Sequence, residues 1–200
     1  MNPTQHLPYL PLSKSIFPSR SLLRDVLLIL GGSAVVALLA QLEIPTQPVP
    51  ITLQTLGVLL VGAVLGSRLG FGALAAYLLE GLVLPVFSGG TTWSHPRIAF
   101  TAGYLIAFPF AAYLVGYLVE RFAADRVVYR AFGLMLLGNL LIYAVGVAWL
   151  GFALGNVGQY TGLDALLYAG MLKFLVGDLI KAAIAAALLP LAWRWLGPQR

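Results

Sequence analysis

Six apolar runs, at residues 22–42, 51–66, 69–86, 100–119, 131–154 and 163–195, take up most of this chain, and only short polar links separate them. Of the 200 residues 60% are hydrophobic and 10% charged, whereas soluble domains carry roughly a quarter charged residues. A soluble fold of this length could not hide so much apolar side chain. In a bilayer the backbone must satisfy its own hydrogen bonds, which leaves helices as the spanning form for runs of this length. The expected fold is therefore an all-α integral membrane protein, a bundle of six transmembrane helices.

Run lengths refine that expectation. A bilayer core of about 30 Å takes about 20 helical residues. Runs 51–66 and 69–86 fall short of this, so tilted or re-entrant passages are expected there. Run 163–195 is too long for one perpendicular span, and its first turns are expected at the membrane surface. Pro45, Pro48 and Pro50 close the first run, because proline is excluded from a helix interior. Residues 88–99 form a polar loop and residues 120–130 a charged one. Residues 1–19, with Pro3, Pro8, Pro11 and Pro18, read as an N-terminal cytoplasmic tail, flexible or interfacial. They lack the charged start and short apolar core of a cleavable signal peptide. Residues 20–200 read as a single transmembrane domain.

Basic residues orient the bundle. Lys14, Arg20 and Arg24 lead into the first run, and Arg68 lies in the second connection. Arg121, Arg126 and Arg130 lie in the fourth connection, and Arg194 and Arg200 at the end. The opposite side has only Arg97. An excess of Lys and Arg marks the cytoplasmic side, so both termini are expected in the cytoplasm. The same distribution accounts for the net charge of +5 without nucleic acid.

Several chemistries find no support in the sequence. There is no Cys, which removes disulfides, thiolate metal sites and cysteine catalysis. His6 and His95 are far apart, so no metal site is expected. No phosphate-binding Walker loop, nucleophile elbow or zinc-binding His pair occurs. The chain is expected to need no cofactor and to catalyse no reaction.

Away from the first and last few residues of the apolar runs lie four charged residues: Glu80, Lys173, Asp178 and Lys181. Ionisable groups in a bilayer are costly and usually face an internal cavity. Asp178 and Lys181, three residues apart, share a helix face. They read either as a structural ion pair or as a ligand site. A carboxylate accepts N–H groups and an ammonium donates to carbonyl oxygens, so together they match a neutral cyclic urea or amide. Glu80, near the end of its run, reads as a water-facing group or a ligand contact. Arg97 reads as a surface residue or a fork for a ligand carboxylate. Lys173 reads as an interfacial anchor. Trp93, Tyr104, Phe87 and Tyr77 could wall an apolar pocket or form an interfacial belt. Thr52 and Gln54 open the second run, where polar residues are ordinary. Ala34, Ala37 and Ala40 in the first run suit helix packing or a docking face for another subunit. Gly62, Gly66 and Gly70 are spaced for close helix approach, interrupted by a turn near Ser67. The sequence shows no internal repeat, so an inverted-repeat carrier gains little support. A proton-coupled carrier working alone, with Asp178 or Glu80 titrating, stays open as an alternative.

The run Pro48-Val-Pro-Ile-Thr-Leu-Gln54-Thr-Leu-Gly57, followed by Gly62-Ala-Val-Leu-Gly66, resembles the BioY family. Three further blocks match in order: Tyr77-Leu-Leu-Glu-Gly81 with Leu84-Pro-Val-Phe87 and Gly89-Gly90; Thr101-Ala-Gly-Tyr-Leu105; and Gly177-Asp178-x-x-Lys181-Ala182. BioY proteins are the biotin-specific substrate-binding (S) components of energy-coupling factor (ECF) transporters. The resemblance implies six helices and a biotin pocket near the extracellular side. It also implies a T component and two ABC-type ATPase subunits as partners, with ATP used only by those partners. Asp178, Lys181 and Glu80 would contact the ureido ring, and Arg97 the valerate carboxylate. Tyr104, Gln54, Thr52 and Trp93 would complete the pocket. The charged pair would then face the ligand more than each other. Ala34, Ala37 and Ala40 would form the T-component interface, and the chain would be a multi-pass protein of the bacterial cytoplasmic membrane. It departs from the family pattern between Gly90 and Thr101, and it carries Ala102 where Gly is usual.

Overall fold

The computed structural model describes residues 9–19, 21–160 and 162–196. The expectations placed on Arg20, Arg200 and residues 1–8 lie outside the described residues.

Helix α1, Leu12–Ile16, belongs to the segment read as a tail, yet it docks on the bundle. Leu12 and Ser13 are buried, and the Ser13 hydroxyl donates to the Leu65 carbonyl at 3.5 Å. The Tyr9 N–H donates to the Glu120 carbonyl at 2.7 Å. Helix α2, Leu22–Ala40, starts where the Ser21 hydroxyl accepts the Arg24 N–H, which satisfies one of the free donors of the first turn. After α2 the proline-rich link forms a hairpin. Strand β1, Glu43–Ile44, pairs antiparallel with β2, Ile51–Thr52, in the register Glu43 to Thr52 and Ile44 to Ile51.

The second and third apolar runs fold as short helices, α3 (Gln54–Leu65) and α4 (Ser67–Glu80). Gly66 makes the reversal between them at φ 83°, a conformation that side chains disfavour. Twelve residues of α3 reach only about 18 Å. Gly62 lies where α3 meets helix α5, Ile98–Phe122: a Cβ there would sit 2.5 Å from the Ala112 carbonyl oxygen. Gly70 of α4 packs over the same point, so small residues let three backbones converge. Helix α6, Val128–Asn156, follows a 3₁₀ turn at Ala124–Arg126. The sixth run is interrupted. Helix α7, Leu163–Gly170, ends at Met171, a 3₁₀ turn covers Leu172–Phe174, and α8 runs Leu175–Leu196.

Among the described residues four stretches are long and apolar enough to cross a membrane: Leu22–Ala40, Ile98–Phe122, Val128–Asn156 and Leu163–Leu196. The fold is thus an all-α membrane protein with four candidate spans and a short α3–α4 pair. Of these four stretches α5 is the most central, 67% buried over its apolar part, and α2 the most open, at 17%. On α2, Ala34 is exposed and Ala37 half-buried. Ala40, expected at a docking face, is instead fully buried, because it shares the packed face of α2 with Ser33 and Val36.

Candidate functional site

One cavity of about 650 Å³, including its opening, lies among α3, α5, α6, α8 and the loops at their ends. Most of its lining is apolar: Val49 and Pro50 from the hairpin, Leu105 and Phe108 from α5, Ile142 from α6, and Phe174 from the 3₁₀ turn. Two polar clusters interrupt that lining.

The first cluster is built on α8. The break at Met171 lets α8 start afresh at Leu175, so Asp178 falls in a first turn, where free N–H groups favour a negative charge. Asp178 and Lys181 are 5% and 8% exposed, and both line the cavity. Their side chains are joined directly, Lys181 Nζ to Asp178 Oδ1 at 2.8 Å. They thus face each other as well as the cavity. Desolvation explains the pairing: a lone charge at this depth is costly, and the partner one helical turn away compensates it. Lys181 also donates to the Thr52 carbonyl at 2.7 Å and to Thr55 Oγ1 at 3.2 Å. The Thr55 hydroxyl donates to Asp178 Oδ1 at 3.2 Å, and the Tyr143 hydroxyl donates to Asp178 Oδ2. Gln54 stands beside them. Its amide accepts from the Thr52 hydroxyl at 3.0 Å and donates to the Tyr77 hydroxyl at 2.7 Å. Tyr77, fully buried, in turn donates to the Val86 carbonyl.

The second cluster is built on the loop after α4. Arg97, Ser88, Thr91 and Thr101 line the cavity. Arg97 Nη1 lies 3.4 Å from Glu43 Oε1 on the hairpin. The Ser88 hydroxyl donates to the other oxygen of Glu43. The Thr91 hydroxyl donates to the Ser88 carbonyl at 2.9 Å. Glu43 therefore ties the hairpin to this loop.

Of the residues expected at a site, the cavity brings together Asp178, Lys181, Arg97, Tyr104, Gln54 and Thr52. Tyr104 contributes its ring, while its hydroxyl donates to the Gly170 carbonyl at 2.8 Å. Glu80 and Trp93 are not in the lining. Glu80 is turned toward α2, where the buried Ser33 hydroxyl donates to its Oε2. That contact satisfies a carboxylate that would otherwise lie against apolar side chains. Trp93 sits behind the wall. Its indole N–H donates to the Leu78 carbonyl at 2.7 Å, and its ring packs edge-to-face on Phe87. Lys173, expected as an anchor at the interface, is folded back onto the proline-rich link. It donates to the Gln47 and Val49 carbonyls at 3.1 and 3.0 Å.

Tyr143, Thr55, Ser88, Thr101 and Glu43 join the site without being expected there. For Tyr143 the sequence holds a weak signal: Asn139 and Tyr143 place two polar groups on one face of an apolar run. Thr55 follows Thr52 at helical spacing, and Glu43 is an acidic counter-charge available to Arg97.

The family model of the BioY family matches residues 11–198. A protein of Pyrococcus horikoshii named as a probable biotin transporter BioY is 34% identical, with 81% of this chain and 91% of that protein aligned. A biotin transporter BioY of Rhodobacter capsulatus is 42% identical over 68% of this chain and 74% of its own length. Among solved structures, the S-component for biotin from an ECF-type ABC transporter superposes with a TM-score of 0.72 at 26% identity. That match covers 88% of this chain and 95% of the other.

Proposed function

The chain belongs to the BioY family, and on that premise we propose that it is the biotin-binding S component of an ECF-type uptake transporter. One observation carries the reading. A single, mostly apolar cavity presents a buried carboxylate–ammonium cluster and, separately, a guanidinium with hydroxyls. Biotin has the matching parts: a ureido ring with N–H and C=O groups, an apolar ring and chain, and a carboxylate. Asp178 accepts from the ring and Lys181 neutralises the buried carboxylate. Gln54 and Thr52 frame that end, Arg97 takes the ligand carboxylate, and Tyr104 supplies an apolar wall.

In this reading the chain is a multi-pass membrane protein that crosses six times, with α3 and α4 as two tilted passages. Both termini are cytoplasmic, and residues 1–19 form a cytoplasmic segment ahead of a single domain, 20–200. Support comes from Lys14, Arg24, Arg68, Arg121, Arg126, Arg130 and Arg194, which fall at one set of helix ends. The partners are a T component and two ABC-type ATPase subunits, which alone use ATP. The chain itself needs no cofactor. The open face of α2, with Ala34 and Ala37, suits docking of the T component.

Radiolabelled biotin should be retained by the purified protein in mild detergent, and Asp178→Asn should lose most of that binding. Wild-type protein that holds no biotin would remove the functional reading. Unchanged affinity in Asp178→Asn would remove the site.

A further inference from the structure

The donors around Asp178 can be counted. An ammonium has three protons, and Lys181 has three acceptors: Asp178 Oδ1, the Thr52 carbonyl and Thr55 Oγ1. The single proton of Thr55 goes to Asp178 Oδ1, and that of Tyr104 goes to the Gly170 carbonyl. Gln54 has one of its two amide protons on Tyr77. Asp178 Oδ1 therefore receives two donors and Oδ2 receives one, from Tyr143.

These bonds differ in how readily they can be exchanged. Moving Lys181 would strip a buried charge of its counter-charge and of a backbone carbonyl. Tyr143 is held through one hydroxyl proton, which turns about the C–O bond without moving the ring. Tyr143 is itself buried, 8% exposed, and lines the cavity beside Asp178. Its oxygen and Asp178 Oδ2 are neighbours, close enough to be bonded to each other.

We propose that Tyr143 is a further specificity-determining residue, the donor that reads the ring carbonyl of the ligand; this rests on the biotin reading above. In the structure its proton rests on Asp178 Oδ2. A ring that offers an N–H next to a C=O places the N–H on Asp178 Oδ2 and draws the Tyr143 proton onto the carbonyl oxygen. One hydrogen bond is replaced by two, and no buried polar group is left alone. A ligand without the carbonyl, or with a poor acceptor in its place, leaves the exchange incomplete. Lys181 stays on its three acceptors throughout and acts as a positioning residue.

The test compares biotin with the analogue whose ring oxygen is replaced by sulfur, using purified protein in detergent and equilibrium binding. Wild type should prefer biotin by about tenfold or more, the size expected for one buried hydrogen bond. Tyr143→Phe should bind biotin about ten- to a hundredfold more weakly, and its preference between the two ligands should fall toward one. A wild type that binds both ligands equally would overturn the proposal, with no variant needed. A variant that keeps the full preference would also overturn it, whether its affinities are unchanged or fall together, since a merely structural role predicts that pattern. Wild type that binds neither ligand would instead overturn the functional reading, and this proposal with it.

Discussion

Glu43 and Arg97 are joined at 3.4 Å, carboxylate oxygen to guanidinium, across two segments 54 positions apart in the chain. Arg97 lines the cavity, so the carboxylate of a bound ligand has to share the guanidinium with Glu43 or displace it. Glu43→Gln should therefore raise affinity for the free acid of biotin relative to its methyl ester by about two- to fivefold, the scale of a partly exposed pair. Arg97→Gln should bring that ratio toward one. Ratios that stay at the wild-type value in both variants would show that the carboxylate lies elsewhere.

The buried pair of α8 predicts an asymmetry between single and double substitutions. Lys181→Met leaves the Asp178 carboxylate without a counter-charge, and Asp178→Asn leaves the ammonium in the same state. Each single change is expected to cost about 3–5 kcal/mol, the usual result of breaking a buried pair. The double variant removes both charges together and should unfold at a higher temperature than either single one, while still binding no biotin. Thermal unfolding in detergent checks the order. A double variant less stable than both singles would contradict the pairing seen at 2.8 Å.

Glu80 makes a prediction of the opposite kind. Its carboxylate is engaged by Ser33 on α2, away from the cavity. Glu80→Gln should keep biotin affinity within about threefold of wild type, since an amide oxygen still accepts from the hydroxyl. Ser33→Ala should lower the unfolding temperature by leaving that carboxylate without its donor. A large loss of biotin affinity in Glu80→Gln would return Glu80 to the site.

These three cases separate what a sequence encodes locally from what only packing decides. Burial is readable from composition, so the apolar runs, the excess length of the sixth and the charged residues of α8 are all legible in the residues alone. Direction is harder. Glu80 and Asp178 both sit in apolar runs, yet one points to α2 and the other to the cavity, because helix rotation is fixed by packing partners that the local sequence does not name. Lys173 reads as snorkelling, a habit of single helices; the carbonyls of Gln47 and Val49 that capture it lie more than a hundred residues away. Tyr143 escapes a sequence reading because a tyrosine in a span is unremarkable until its hydroxyl is seen on Asp178. The shortness of α3 and α4 follows from run length, but the three-way approach at Gly62, Gly70 and Ala112 that holds them belongs to the tertiary fold.

The last prediction concerns the end of the bundle where α5 passes into α6. Asp125, 1% exposed, lies in the 3₁₀ turn between them and accepts the indole N–H of Trp193 on Oδ2. Its Oδ1 has no partner among the described residues. The Arg126 guanidinium is stacked over the Trp193 ring at 4.5 Å, and over Tyr9 at 5.4 Å. Burial raises the Asp125 carboxyl above the usual carboxylate range, and the Trp193 hydrogen bond, its own backbone N–H and Arg126 oppose this only in part. A raised value in the folded state means that the native protein holds this proton more tightly than the unfolded chain. Stability from this group is then fully present below the ordinary value of 3.8. It is lost as pH rises through the higher native value. Asp125→Asn keeps the acceptor for Trp193 and removes the titration. The unfolding temperature of the variant, relative to wild type, should therefore climb as pH is raised from about 4 toward neutrality. Unfolding scans in detergent across that range test it: a difference that stays flat with pH, or that falls, would mean that Asp125 is ionised in the folded protein at no cost.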